Sequence, residues 1–194
     1  RPNVLRIVRL GKKLGSTVVL GGPEPASYAE EYLACGADVV VAGEGELTLE
    51  ELLPQLLRVG TDGLPPVGGS GLSVRACHPP YTGGMERIRG IVYRRNDGKS
   101  VRTEPRPHIV DLDAQPLPDR AAIDFSAYLR VWRERHGMAS LSLITARGCP
   151  YTCAWCSHTV FGYSYRHRSP RNVADELDQL MALYRPDAVW YADD

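Results

Sequence analysis

Hydrophobic positions in the first sixty residues alternate between helix-like and strand-like patterns. Apolar side chains recur at helical spacing over 4–10, and helices are also predicted over 25–36 and from residue 47 onward. Between them, TVVLGG (17–22) and ADVVVAGEGE (37–46) are short β-branched runs that end in glycines. This order of elements is typical of an open α/β sheet, of which we expect the C-terminal half here.

The third of these helices carries two local signals. Thr48 and Glu51 have the spacing of a capping box, which predicts a helix start at Thr48. Pro54 lies inside the same helical pattern, and it predicts a kink or an early break because proline lacks the amide hydrogen.

The middle of the chain loses this regularity. Residues 60–84 are rich in Gly and Pro, which predicts a long loop or linker. An Asn-Asp-Gly turn within 88–105 separates two alternating runs and predicts a β-hairpin. The proline-punctuated stretch 107–129 is expected to be extended. We therefore expect a linker with a hairpin over 59–138.

The sequence pattern of the last third predicts a strand, a loop, a helix and a second strand. The run 141–150 predicts a buried strand that breaks at Gly148, and Ser169-Pro170 is a strong helix start. Pro186 ends that helix, and 187–194 predicts a second strand. This is a βαβ unit, the building block of a parallel sheet or barrel.

These patterns divide the chain into three parts: a partial α/β domain at 1–58, the linker at 59–138 and the start of a barrel at 139–194. The chain opens on a helix without a preceding strand and stops where a strand would enter a loop. We therefore expect a piece of a longer protein.

Composition narrows the function classes. Lys plus Arg and Asp plus Glu both number 23, so a zero net charge gives no support for a nucleic-acid partner. No apolar run approaches the roughly 20 residues that span a bilayer. The 5 cysteines are odd in number and clustered, unlike a secreted disulfide framework. A reducing cytoplasm is the expected location.

Three cysteines lie within RGCPYTCAWC (147–156), at Cys149, Cys153 and Cys156. Thiolates at this spacing can ligate three corners of an iron–sulfur cluster, whereas four cysteines ordinarily hold one. A cluster here would keep one iron open for a small molecule.

Two other interpretations of these cysteines stay open at this point. A structural zinc site requires four closed ligands, which would have to come from Cys35, Cys77 or His158 in addition to the loop. A disulfide is the other.

The C-x3-C-x2-C spacing, with Trp155 just before the last cysteine, resembles the radical S-adenosylmethionine (SAM) superfamily. Together with 162–177 and WYADD (190–194), it is similar to the start of the barrel in cobalamin-dependent members. The resemblance implies a four-iron four-sulfur cluster held by the three cysteines, with SAM on the fourth iron. It also implies one-electron cleavage of SAM to a 5′-deoxyadenosyl radical.

The same resemblance suggests further contacts with SAM. Trp155 would lie near the adenine, and Asp193 and Asp194, at the end of a strand, would lie near the methionyl part. The neighbouring Arg166, His167 and Arg168 are expected to form a solvated basic loop.

The two glycine-ended strands resemble the later half of the cobalamin-binding domain that precedes such barrels. Glycines after a strand let a bulky ligand approach the backbone closely. The resemblance implies that this half lines the nucleotide tail of the corrinoid through Gly21, Gly22, Gly43, Glu44 and Gly45. A D-x-H-x-x-G motif, whose histidine can ligate cobalt in this family, is absent from the chain.

The leading hypothesis is a cobalamin-dependent radical SAM enzyme that methylates an unactivated carbon, with cobalamin as the methyl carrier. A ring-forming or rearranging enzyme is the alternative within the class. A methylthiotransferase is a further radical SAM alternative, but the front half of this chain has no second trio of cysteines for it. A corrinoid or metal-binding module without activity is the non-enzymatic alternative. Expected partners are a small-molecule substrate and an electron donor such as flavodoxin or ferredoxin.

Overall fold

The computed structural model describes residues 1–58, 84–156, 158 and 160–193. The chain forms two compact units, Arg1–His108 and Ile109–Asp194. The predicted linker residues from 59 to 83, with Cys77, lie outside the described residues, as does Asp194.

The first unit is a four-stranded sheet with helices before and between its strands. The strand order is β1-β2-β3-β4; β1 pairs parallel with β2, and the other two pairings are antiparallel. Its elements are α1 (Pro2–Lys13), β1 (Val19–Leu20), α2 (Pro23–Ser27), α3 (Ala29–Ala34), β2 (Val39–Val41), α4 (Glu46–Arg58), β3 (Ile91–Arg94) and β4 (Ser100–Arg102).

Alternation along β2 and β3 gives the sheet two buried faces. Val40 packs opposite Val92 in a cluster that includes Val8 and Tyr32 from the helices before the strand. The odd-numbered Val39 and Val41 of β2, with Ile91 and Tyr93 of β3, face the other side, where Leu52 of α4 covers them. Because both faces of the strand are buried, the sequence of β2 is an uninterrupted apolar run and does not alternate between apolar and polar residues.

The hairpin was expected within the linker, but it belongs to this sheet. Val39 is paired with Tyr93 and Val41 with Ile91, so β3 covers the hydrogen-bonding edge of β2. This pairing gives the backbone amides and carbonyls at the edge of β2 hydrogen-bond partners, and it buries the apolar residues of the hairpin.

Three local predictions in the first unit need correction. The helix predicted over 25–36 is interrupted at Tyr28, and α4 continues through Pro54 without an early break. The capping box is also wrong, because α4 begins at Glu46 and Thr48 lies fully buried inside its first turn.

The second unit is built around a parallel pair of strands. β5 pairs with β8 in parallel, from Ser140 opposite Ala188 to Leu143 opposite Tyr191. Leu141, Leu143, Leu129 and Leu180 form its buried core. Its elements are α5 (Phe125–His136), β5 (Ser140–Leu143), β6 (Ala146–Arg147), β7 (Arg166–His167), α6 (Pro170–Tyr184) and β8 (Ala188–Tyr191).

The predicted βαβ unit is confirmed by this parallel pairing and by α6 between its strands. The Ser169 hydroxyl accepts a hydrogen bond from the Asn172 amide, as expected for an N-cap. Short pieces of strand, β6 and β7, pair with each other in antiparallel fashion between β5 and α6.

Helix α5 corrects the end of the stretch 107–129 that was expected to be extended, because the helix begins at Phe125. Asp124 caps its start by accepting a hydrogen bond from the Ala127 amide, and Gly137 ends it in the left-handed region. Only Leu129 is buried in this helix, whereas Tyr128, Val131 and Trp132 are exposed. Apolar residues on more than one face blur the periodicity that predicts a helix.

None of the helices in the described part of the chain is sufficiently long and apolar to span a membrane.

Candidate functional site

The cysteine loop leaves the parallel strand pair at its carboxyl edge. β5 ends at Leu143, and Gly148 follows the short strand β6 directly. Cys149 is half-buried, whereas Cys153 and Cys156 are exposed. The Cys156 amide donates a hydrogen bond to the Cys153 carbonyl oxygen at 3.0 Å, so the last part of the loop forms a tight turn.

Gly148 is required by the local geometry of this loop. Its φ is +81°, and a Cβ at this position would lie 2.0 Å from the backbone oxygen of Ser164. No other residue fits so close an approach without moving the backbone. The glycine therefore lets the chain cross the returning segment immediately before Cys149.

The loop supplies three thiols, but they are not arranged as a complete set of metal ligands. Among the described residues, no group of three His, Cys, Asp or Glu side chains is placed to hold a metal ion. None of the three loop cysteines is in a disulfide. Three thiols within eight residues match the chemistry of iron–sulfur ligation, and ligand shells commonly close only when the metal binds.

Asp193, predicted to contact SAM, is engaged with the backbone that leads into the loop. Its carboxylate accepts hydrogen bonds from the Thr145 amide at 2.5 Å, the Thr145 hydroxyl at 2.6 Å and the Ala146 amide at 2.9 Å. Burial by itself would raise its pKa, but these hydrogen bonds, with Arg168 nearby, bring that pKa below the usual value. Asp193 thus ties the end of β8 to the start of β6.

Of the expected solvated basic loop, His167 is exposed, whereas Arg168 is part of a largely buried ionic cluster. Arg168 lies within ion-pair distance of Glu176 at 2.5 Å, and Arg120 approaches the other oxygen of Glu176 at 3.4 Å. Arg168 also donates to the backbone oxygen of Ile144, beside Thr145. Glu176 lies on the inner face of α6, where its side chain is 4% exposed. Sequence inspection missed this acid because the helical apolar pattern around it indicates only a hydrophobic face.

The aromatic residues of the loop differ in exposure. Trp155, predicted to lie near the adenine, is 87% exposed. His158 stacks on Tyr163 with ring centroids 4.2 Å apart. The contact of Trp155 with SAM therefore stays a prediction.

In the first unit, the predicted glycines follow two adjacent parallel strands. Gly21 and Gly22 come after β1, and Gly43 and Gly45 come after β2, so both turns meet at the same edge of the sheet. Gly22 and Gly43 have φ of +107° and +88°, which disfavours other residues. A Cβ on Gly21 or Gly43 would meet nothing within 4 Å. This open backbone suits the close approach of a bulky ligand.

Glu44 is placed differently from the glycines beside it. Its side chain is 2% exposed, and its Oε2 lies 3.7 Å from Nδ1 of His108. A buried carboxylate in a glycine turn needs polar partners, and His108 is one that sequence inspection missed.

Glu24, shortly after the first glycine turn, is also held by side chains that sequence inspection did not select. Tyr32 donates its hydroxyl hydrogen to the Glu24 carboxylate, and Arg1 donates to the other oxygen at 2.7 Å. The hydrogen bond with Glu24 raises the pKa of Tyr32 to about 12. These contacts fix the first turn of α2.

Comparison with known proteins gives a family match for the front of the chain and relatives that match most of its length. Residues 1–53 match the B12-binding domain family. The anaerobic magnesium-protoporphyrin IX monomethyl ester cyclase of Rubrivivax gelatinosus is 29% identical over 91% of this chain and 28% of its own length. The hopanoid C-3 methylase of Methylococcus capsulatus is 25% identical over 92% of this chain and 30% of its own.

The first 53 residues thus match a B12-binding domain, and the chain over nearly its whole length is similar to cobalamin-dependent radical SAM enzymes. Solved structures share its fold. OxsB, with aqua-cobalamin and SAM bound, matches 99% of the chain and 23% of its own with a TM-score of 0.68 at 19% identity. TsrM from Kitasatospora setae, with cobalamin and a [4Fe-4S] cluster bound, matches 98% of this chain and 33% of its own with a TM-score of 0.65 at 20% identity. The predicted Rossmann-like α/β class is confirmed.

Proposed function

We propose that this chain is part of a radical SAM enzyme that binds a four-iron four-sulfur cluster, SAM and cobalamin. The observation that carries the proposal is the three-thiol loop at the carboxyl edge of a parallel strand pair, in a chain whose first 53 residues match a B12-binding domain. The chain spans 28% of the length of the relative from Rubrivivax gelatinosus, and we expect this chain by itself to be inactive.

Cys149, Cys153 and Cys156 would hold the cluster. When bound, the cluster and SAM supply a one-electron cleavage that produces a 5′-deoxyadenosyl radical. Gly148 lets the loop begin beside Ser164, and Asp193 anchors the strand ahead of it through Thr145 and Ala146. These residues orient the thiols and limit how far the loop can move.

The glycine turns after β1 and β2 would hold the nucleotide tail of cobalamin. Bound cobalamin would supply the methyl group for transfer to an unactivated carbon. Open backbone at Gly21 and Gly43 supports close contact with the tail, and Glu44 offers a carboxylate that can accept its hydrogen bonds.

Ring formation is the second candidate, and some of the relatives support it. Magnesium-protoporphyrin IX monomethyl ester cyclases match the chain at 29% and 30% identity. The hopanoid C-3 methylase and a carbapenam-carboxylate methyltransferase, at 25% and 29%, support methyl transfer instead. Either reaction needs a small-molecule substrate and an electron donor such as flavodoxin or ferredoxin. Exposed thiols that must stay reduced fit a cytoplasmic location.

The proposal is tested by anaerobic reconstitution of the purified full-length protein with iron and sulfide. We expect about four irons per protein, a cluster chromophore in the visible range, and release of 5′-deoxyadenosine when SAM and a reductant are added. Cys153→Ala should lose the chromophore. Cys35→Ala is the matched control, because Cys35 is a half-buried cysteine of the first unit.

Two outcomes would count against the proposal. Zinc bound in place of iron would support the structural metal site, and an iron–sulfur cluster without SAM cleavage would remove the enzymatic interpretation. Product analysis with isotopically labelled methyl-SAM then separates methylation, in which the label enters the substrate, from ring formation, in which it does not.

A further inference from the structure

The segment that follows the hairpin returns to the second glycine turn. The Gly90 amide donates to the Glu104 oxygen, and the Gly90 oxygen accepts from the Ala42 amide, both at 2.8 Å. Gly90 therefore connects Glu104 to Ala42, the residue after the end of β2, through two backbone hydrogen bonds. The next few residues, 104–108, lie beside the turn formed by Gly43, Glu44 and Gly45.

Arg106 binds the start of helix α4, which that turn leads into. Its Nε donates to the Thr48 hydroxyl oxygen at 2.8 Å, and its Nη2 donates to Glu51 at 2.6 Å. The Thr48 hydroxyl in turn donates to the Arg89 oxygen at 3.2 Å. The Arg106 side chain is 12% exposed and Thr48 is fully buried, so the charge-assisted hydrogen bond between them is shielded from water, whereas Glu51 is 48% exposed.

His108 meets the other end of the turn. Its Nδ1 lies 3.7 Å from the buried Glu44 carboxylate, while its own side chain is 41% exposed. Thus one short segment contacts both the acid within the glycine turn and the first turn of the following helix.

The contact distances leave little freedom for the intervening backbone. A Cβ on Gly90 would lie 3.1 Å from the Ala42 oxygen and 3.3 Å from both the Arg106 Cβ and the Thr48 hydroxyl oxygen. The end of β2, the start of β3 and the 104–108 segment are in direct contact at this point.

We propose that Arg106 and His108 are positioning residues for the nucleotide tail of cobalamin. They hold the Gly43–Glu44–Gly45 turn in the conformation that receives the tail, with His108 acting on the Glu44 carboxylate and Arg106 on Thr48 and Glu51. This inference rests on the proposed cobalamin function, and it extends the corrinoid site to a segment outside the residues 1–53 that match the B12-binding domain.

Binding of cobalamin and of cobinamide, a corrinoid without the nucleotide tail, by the purified protein separates this role from a merely structural one. Arg106→Met and His108→Leu should weaken cobalamin binding about tenfold or more, as loss of a supporting partner commonly does. Their binding of cobinamide should stay within about twofold of the unsubstituted protein, because cobinamide does not use the turn. Arg106→Lys, which keeps the charge but not the two-pronged geometry, should recover part of the cobalamin affinity.

Matched controls are Arg94→Met, at the far end of the same hairpin, and His136→Leu, at the exposed end of α5. Both should bind the two corrinoids like the unsubstituted protein. If Arg106→Met fails to fold, Arg106→Lys and His108→Leu carry the test, since His108 is partly exposed and should be tolerated.

Unchanged cobalamin binding in the Arg106 and His108 variants would overturn the inference while the cobalamin proposal stands. Equal losses for cobalamin and cobinamide would also overturn it, because they would indicate general damage to the fold. Failure of the unsubstituted protein to bind either corrinoid would overturn the cobalamin proposal and, with it, this inference.

Discussion

The Asp193 carboxylate accepts two hydrogen bonds from a single residue, Thr145: one from its amide at 2.5 Å and one from its hydroxyl at 2.6 Å. Asp193 follows β8, and Thr145 lies between β5 and β6. Since β5 and β8 are parallel neighbours, this contact closes their shared carboxyl edge where the cysteine loop begins.

Replacement of Asp193 should therefore lower the stability of the second unit, rather than act first on the binding of a ligand. Asp193→Asn weakens the acceptor for two backbone amides and should lower the free energy of unfolding by about 1 kcal/mol. Urea unfolding measures the change, with the exposed Asp178→Asn of α6 as control. Unchanged unfolding combined with weaker SAM binding would favour the direct role in SAM contact that the sequence suggests.

Gly148→Ala should prevent the cysteine loop from closing. Both Gly148 and Gly137 have positive φ, at +81° and +77°, so alanine at either position introduces about 1 kcal/mol of backbone strain. Only at Gly148 would the added Cβ also meet a backbone atom, the Ser164 oxygen. We expect Gly148→Ala to lose iron incorporation and Gly137→Ala to keep it. Equal iron content in the two variants would contradict the proposed importance of this crossing.

Thr48→Val should destabilise the first unit although the two side chains have nearly the same shape. The fully buried Thr48 hydroxyl accepts from Arg106 and donates to the Arg89 oxygen, and valine leaves both groups without that partner. The expected loss is about 1–3 kcal/mol in the free energy of unfolding. Thr17→Val, at an exposed position, should change it by less than about 0.5 kcal/mol. Similar effects at both positions would argue against the buried hydrogen bonds as the cause.

Acid should destabilise the second unit through its aspartates. Hydrogen bonds from Ser169 lower the pKa of Asp113 below its usual value of 3.8, and hydrogen bonds from Ala139 and Arg133 do the same for Asp187. Since the pKa in the folded state is depressed, the stabilisation is complete above the usual aspartate pKa and is lost as pH falls through the lowered value. Unfolding followed by circular dichroism at decreasing pH should show this loss.

A variant with Asp113 and Asp187 both replaced by Asn should show a smaller dependence of stability on pH over that acidic range. An unchanged acid dependence would mean that other carboxyl groups control it.

Local pattern was sufficient for those parts of the fold in which neighbours along the chain make the decisive contacts. The Ser169 cap, the helix that follows it, and the parallel strands before and after it are visible in the sequence, because caps and apolar faces depend on residues close in sequence. The cysteine spacing and the glycine-ended strands likewise carry the family resemblance, because short loops confine their residues to one place.

Contacts between distant segments decided the rest. The hairpin joins the first sheet because β2 has an edge to pair and an apolar face to cover, and neither property is visible within 88–105 itself. Helix α5 was hidden by exposed aromatic residues, and Thr48 looked like a helix cap because its partner, Arg106, is 58 residues away. Charged residues at buried positions, such as Glu44 and Glu176, acquire a role only from the side chains that folding brings beside them. Apolar periodicity reports which face of an element is buried, whereas the polar partners within that buried space are set by tertiary structure.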